Sequence, residues 1–203
     1  MKYKCITGGP ISENCYLLID EKTNQAAVVD PGFLNDVLLN EIKKYTVQRI
    51  LLTHGHFDHI WEADRLHEML GVPVCAYETE AAFAADDKQN GSLLMMYESI
   101  TCKVHEAFKD GETFQIGEVP VTVLHTPGHR PGCLCFYAEE QGVLFSGDTL
   151  FCGAYGRLDL PEAQPERMRG SLERLFALPP ETIVYPGHGE ATTIGQEVEG
   201  WGW

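Results

Sequence analysis

Thr53-His54-Gly55-His56-Phe57-Asp58-His59 follows directly on Val47-Gln48-Arg49-Ile50-Leu51-Leu52. The short apolar run ending at a polar cluster makes Val47–Thr53 a buried strand. The histidines therefore leave a strand end together. Imidazole nitrogens and a carboxylate at this density are lone-pair donors suited to a divalent cation, and Gly55 lets the backbone turn tightly between the first two. A structural alternative is open for Asp58, which could cap a helix over Ile60–Leu70.

Three further runs repeat the arrangement: Thr126-Pro127-Gly128-His129, Ser146-Gly147-Asp148-Thr149 and Pro186-Gly187-His188-Gly189. Each comes after a strand-like segment, respectively Val119–His125, Val143–Ser146 and Thr182–Tyr185. The candidate metal ligands are thus His54, His56, Asp58, His59, His129, Asp148 and His188. Imidazole and carboxylate suit zinc, iron or manganese, and the lack of cysteine in these runs argues against a closed structural zinc site. Seven ligands are too many for one tetrahedral ion, whereas two ions sharing a bridging carboxylate use them all. Such a pair acidifies a bridging water from a pKa of ~15.7 towards ~7, so the expected nucleophile is hydroxide, with Asp58 and Asp148 as the carboxylates available to its proton.

Outward from these runs the chain alternates. A β meander is expected over Lys2–Thr7, Asn14–Asp20 and Gln25–Val29, then a helix over Leu34–Tyr45. Val72–Ala76 reads as a strand, Thr79–Asp87 as a helix, and Ser92–Glu98 as an apolar core or lid helix. Glu112–Ile116 and Gly132–Ala138 complete a second β-rich half, followed by a helix over Pro165–Ala177. Two packed sheets with helices outside suit this order, as does a generic α/β domain, which the pattern alone does not separate from it, in one domain spanning 1–203. With 203 residues, 44% of them hydrophobic, the chain can bury a core without disulfides. All seven cysteines read as small core residues, because no CxxC pair occurs. A net charge of −15 argues against nucleic acid, which needs a basic footprint, and against anionic membranes, and says nothing positive about the substrate; a small molecule is the expected partner. No apolar stretch has the length of a membrane span, and the opening residues are unlike a secretory signal, so the cytoplasm is the expected location.

At the four His/Asp runs the sequence resembles the metallo-β-lactamase superfamily. The resemblance implies an α+β fold, an αββα sandwich of two mixed sheets flanked by helices, with metal at one edge. It implies one ion on His54, His56 and His129, a second on Asp58, His59 and His188, and Asp148 between them, zinc being the first expectation and iron or manganese the alternatives. Asp148 follows Gly147 where one class of β-lactamases presents a cysteine near the second site, which argues against antibiotic hydrolysis. Gly147-Asp148-Thr149-Leu150-Phe151 followed by Gly156-Arg157 looks like the glyoxalase II (hydroxyacylglutathione hydrolase) branch, and the chain stops about 15 residues after His188. The closer likeness is therefore to short glyoxalase II-like hydrolases, which implies thioester hydrolysis. Arg157 is the candidate for holding a substrate carboxylate, with a surface ion pair as the alternative; Asp159 stands near a family tyrosine of similar task, and Tyr155 is a candidate cleft residue. A rival on the same scaffold is a persulfide dioxygenase with one iron on His54, His129 and Asp148; lactone or phosphodiester hydrolysis would use the same centre. His67, His105 and His125 read as structural or supporting. The Trp201-Gly202-Trp203 tail either docks or frays.

Overall fold

Every residue of Glu13–Asp20 is buried, and the strand sorts its side chains by parity. Cys15, Leu17 and Ile19 enter one apolar cluster while Tyr16 and Leu18 enter another. A strand apolar on both faces must be covered on both, so this sequence demands at least three layers. The computed structural model, which describes residues 1–202, has four.

The first sheet consists of β1 (Lys2–Gly8), β2 (Glu13–Asp20), β3 (Gln25–Val29), β4 (Thr46–Leu51), β5 (Val74–Tyr77) and β6 (Glu106–Phe108), adjacent in that order. β1–β2–β3 pair antiparallel and β3–β4–β5–β6 parallel. Parallel neighbours need crossovers. These are supplied by α1 (Asp36–Ile42), by α2 (Phe57–Ile60) with α3 (Ala63–Leu70), and by α4 (Glu80–Ala84) with α5 (Ser92–Met95).

The second sheet holds β7 (Thr113–Ile116), β8 (Val119–His125), β9 (Leu134–Ala138), β10 (Val143–Gly147), β11 (Ile183–Pro186) and β12 (Thr192–Thr193), again adjacent in chain order. Only β10–β11 is parallel, bridged by α6 (Pro165–Phe176); α7 (Ile194–Trp201) follows β12.

Three apolar clusters bind the layers. Leu18, Val29 and Leu51 of the first sheet meet Val121, Phe136 and Phe145 of the second between the sheets. Leu38, Ile60 and Leu66 cover the outer face of the first sheet. Met168, Leu172, Leu175 and Ile194 cover that of the second. The expected αββα sandwich is the observed fold.

Several local expectations are corrected. The helix expected over Ile60–Leu70 begins at Phe57 and breaks around Trp61–Glu62, so Asp58 sits inside a first turn and caps nothing. The first helix starts at Asp36 because the Asn35 side chain accepts from Leu38 N at 2.9 Å, closing a cap. β6, β12 and α7 had no counterpart among the elements expected from sequence. Cys5 and Cys152 are exposed, against the expectation that every cysteine is core; the other five are buried. Trp201 docks through its indole Nε1, which donates to Glu197 at 3.0 Å, whereas Trp203 lies outside the described residues. Among the described residues no helix is long and apolar enough to cross a membrane.

Candidate metal centre

β4, β8, β10 and β11 all end at one edge of the sandwich, and the four polar runs leave from those ends. His54 follows β4, Asp58 and His59 ride on α2, His129 follows β8, Asp148 follows β10 and His188 follows β11. The structure brings all seven candidate ligands together. His54 Nε2 lies 3.0 Å from His56 Nδ1, which lies 2.9 Å from His129 Nε2. Asp58 Oδ2 lies 3.1 Å from His188 Nε2 and 3.3 Å from His59 Nε2. Asp148 stands between the two groups. Its Oδ1 is 3.4 Å from His59 Nε2, and its Oδ2 is 3.6 Å from His129 Nε2 and 3.8 Å from His188 Nε2.

Hydrogen bonding shows that this cluster fits a metal. Thr53 Oγ1 donates to Asp30 Oδ2 at 2.7 Å, so its lone pair receives the proton on His54 Nδ1, 3.1 Å away. His129 Nδ1 donates to the Arg157 carbonyl at 2.9 Å. These partners assign both protons to Nδ1, so both Nε2 lone pairs face His56 Nδ1, which has at most one proton to offer them. His59 repeats the pattern: Nδ1 donates to Asp30 Oδ2 at 3.0 Å, while Nε2 is buried without a partner, as is Asp148 Oδ1. Converging lone pairs in a buried site are stable only around a cation. Among the described residues, three ligand groups have donor atoms within 4.8 Å of one another: His54, His56 and His129; Asp58, His59 and His188; and His54, His59 and Asp148.

The electrostatics agree. Burial pushes His54 and His56 well below the usual imidazole range, aided by the charges of neighbouring imidazoles and Arg130, and burial also lowers His129. These rings are neutral and free to ligate. At His59 burial acts downward too, but Asp58, Asp148 and Asp30 outweigh it, so the Nε2 lone pair stands where these carboxylates favour a cation, a proton or a metal ion in its place. For Asp58 burial acts upward, yet the charge of His59 and the His188 hydrogen bond hold the carboxyl well below its usual range.

Two glycines are required by close approach. A Cβ on Gly187 would stand 2.7 Å from His59 Cε1 and on top of Asp148 Oδ1; one on Gly156 would stand 2.9 Å from His129 Cγ.

Supporting residues went undetected in the sequence. Asp30 adopts φ +49°, uncommon for a residue with a side chain, and its carboxylate accepts from Thr53 N, Thr53 Oγ1 and His59 Nδ1. In the sequence Asp30-Pro31-Gly32 read only as a strand-ending turn. Buried Glu80 accepts from Gly55 N at 2.7 Å and Gly132 N at 3.0 Å, tying the loops of His54–His56 and His129 together. Arg130 lies beside it, its guanidinium 3.9 Å above the Phe83 ring. The remaining histidines stand apart: His125 stacks on Tyr77 at 4.1 Å and His67 on His105 at 4.0 Å.

A cleft of about 470 Å³ opens above the cluster, with His56, Asp58, His129, Asp148 and His188 in its lining. Leu94 and Met95, from the expected core-or-lid segment, are exposed and line its wall, as do Tyr155 and Arg157. Arg157 is paired with Asp159.

A mixed αββα sandwich carrying a His/Asp metal-binding cluster at its edge defines a class of metallohydrolases, and residues 8–188 match the model of the metallo-β-lactamase superfamily. The chain belongs to that superfamily. It is 36% identical to the probable metallo-hydrolase YqgX of Bacillus subtilis, over 96% of this chain and 93% of that one. It is 32% identical to the hydroxyacylglutathione hydrolase GloC of Haemophilus influenzae, over 97% of this chain and 95% of that one. Among solved structures it is similar to the BLEG-1 B3 metallo-β-lactamase, with TM-score 0.92 and 35% identity over 98% of this chain and 97% of that one. A di-iron-bound form of TTHA1623 superposes with TM-score 0.85 at 36% identity, covering 96% of each chain.

Proposed function

We propose that the chain is a binuclear metal-dependent hydrolase of small thioesters. The observation that carries this reading is the meeting of two ligand triads on one carboxylate, Asp148, in the lining of an open cleft. A one-iron dioxygenase would need only His54, His129 and Asp148; here Asp58, His59 and His188 are also assembled, with a buried lone pair on His59. The relative named a hydroxyacylglutathione hydrolase supports the thioester as the bond cleaved.

Bound divalent ions, zinc first among the candidates, supply Lewis acidity that polarises the carbonyl and acidifies a water for attack at neutral pH. The protein's part is positional. His54, His56 and His129 form one face, with His54 and His129 oriented through Thr53 and the Arg157 carbonyl. Asp58, His59 and His188 form the other, with His59 oriented by Asp30. Asp58, held ionised, and Asp148 are the acceptors for the proton that water loses; that proton passes to the departing sulfur as the C–S bond breaks, so one water and one thioester give one acid and one thiol. Tyr155 and Arg157 form the wall against which the rest of the substrate lies. With net charge −15 the proposed partner is a small molecule, not nucleic acid or a membrane, and five buried free thiols suit a reducing cytoplasm.

Elemental mass spectrometry on protein purified without added metal tests the centre, and a panel of lactoylglutathione, a lactone, a phosphodiester and a penicillin tests the bond. The expected result is about two equivalents of metal with the thioester turned over fastest. One equivalent of iron with oxygen consumed on a persulfide would replace this reading by the dioxygenase.

A further inference from the structure

Among the described residues, Lys88 and Arg157 are the only lysine or arginine lining the cleft. Lys88 is exposed and its charge acts on the neighbouring Asp86, whereas Arg157 is directly engaged. Its Nε donates to Asp159 Oδ1 at 2.7 Å and its Nη2 to Asp159 Oδ2 at 2.8 Å, the two-point fork that an incoming carboxylate would otherwise make. Hydrogen bonding to Arg157 draws the Asp159 carboxyl down to about 2, so the competitor is ionised at any ordinary working pH. Sitting two residues along the chain, it competes intramolecularly with an incoming carboxylate, and because both side chains are more than half exposed the bias is about severalfold.

The same cleft exposes apolar surface. Ile11, Leu94, Met95 and Tyr155 are large side chains left uncovered, Leu94 at 64% and Met95 at 49% exposure, and all four line the cleft. Leu160 and Pro161, next to Asp159, continue the wall. Apolar side chains gathered at a cleft mouth are a surface for an apolar ligand.

We propose that the cleft selects thioesters whose non-reacting groups are apolar and uncharged, and that Asp159 sets this preference by occupying Arg157. The proposal rests on the thioester reading above and names its substrate class. Asp159 acts through Arg157 and is a specificity residue, not a catalytic one.

The test uses the metal-loaded protein and two matched series: acetyl, butanoyl and hexanoyl thioesters of neutral N-acetylcysteamine, and the same acyl groups on 3-mercaptopropionate. Calorimetry with the corresponding non-hydrolysable thioethers reads binding without turnover. In the neutral series kcat/KM should rise about threefold to fourfold for each added methylene that is buried. The neutral hexanoyl ester should be preferred to the acidic one by about tenfold, and Asp159→Asn should narrow that ratio by about threefold to tenfold as the fork is freed and a like charge removed. Leu94→Asn should flatten the dependence on chain length. A length-independent kcat/KM, a wild-type preference for the acidic ester, or an unchanged ratio in Asp159→Asn overturns the proposal. If no thioester is hydrolysed while the thioethers bind in the expected order, the reaction assignment fails and the selectivity stands. If thioesters are hydrolysed without that order, the reaction assignment stands and the selectivity fails.

Discussion

Asp30→Asn separates ligand orientation from fold more sharply than any ligand deletion. Asp30 Oδ1 accepts from Thr53 N at 2.7 Å, and Oδ2 accepts from Thr53 Oγ1 at 2.7 Å and His59 Nδ1 at 3.0 Å. An asparagine keeps the Oδ1 bond but presents an NH₂ to Thr53 Oγ1, whose hydrogen then turns to His54 Nδ1, and to His59 Nδ1. The His59 ring must then accept at Nδ1 and carry its proton on Nε2, the atom that faces Asp58 and Asp148. A protonated Nε2 cannot ligate. Exchanging charge-assisted bonds for neutral ones costs about 1–2 kcal/mol of stability, a fraction of the roughly 5–15 kcal/mol typical of a domain. Loss of an orienting partner weakens metal binding by about 10–100-fold, or roughly 1.4–2.7 kcal/mol. The expected outcome is a folded variant that releases metal to a competing chelator more readily than wild type, because His59 on one side and His54 on the other both lose the bond that orients them. Chelator titration with elemental analysis measures the second quantity, and denaturant unfolding of the metal-free protein the first. Two ions held with wild-type affinity in a folded Asp30→Asn variant would refute the tautomer assignment.

Other outcomes follow from the same geometry. Gly187→Ala should fold but lose bound metal, because its Cβ meets His59 and Asp148 while Gly187 N→Gly147 O at 2.9 Å and Asn14 N→Gly187 O at 2.8 Å prevent the backbone from retreating; metal content and circular dichroism check this. Glu197→Ala removes the acceptor shared by Gly153 N, Thr192 Oγ1 and Trp201 Nε1, of which only Thr192 is buried and it keeps Gln196 as a second acceptor, and should cost about 1–2 kcal/mol in denaturant unfolding. Asp20, lowered to about 2 by hydrogen bonds from Glu118 N, Thr23 Oγ1 and Lys22 N, stabilises the fold above the ordinary carboxyl value near 3.8 and loses that contribution as pH falls towards 2. Asp20→Asn should therefore flatten the fall in stability between about pH 4 and 2, read from thermal melts.

The ligand set was legible because its chemistry is local: His54, His56, Asp58 and His59 fall within one short run, and each other ligand sits just past an apolar strand. The continuous apolar run Cys15–Ile19 likewise marks β2 as a strand, whereas its burial on both faces is seen only in the structure. Elements without such signatures were missed. β6 is three residues long and α7 carries Gly195 and Gly200, so neither shows a periodicity that a short window can detect. The break between α2 and α3 was invisible because Phe57–Leu70 contains neither proline nor glycine.

Residue types and the order of elements belong to neighbouring positions; they put a His/Asp cluster at strand ends and suited two packed sheets, while the mixed sandwich itself came from the resemblance that the His/Asp runs carry. Which nitrogen of His59 carries the proton depends on Asp30, 29 residues away; the contact of Asp58 with His188 spans 130 residues. Arg157 had two readings until the rotamers of its neighbourhood joined it to Asp159. Tautomers and the walls of a cleft arise only when distant segments close around one another, because each is set by what occupies the space opposite and not by what precedes it along the chain.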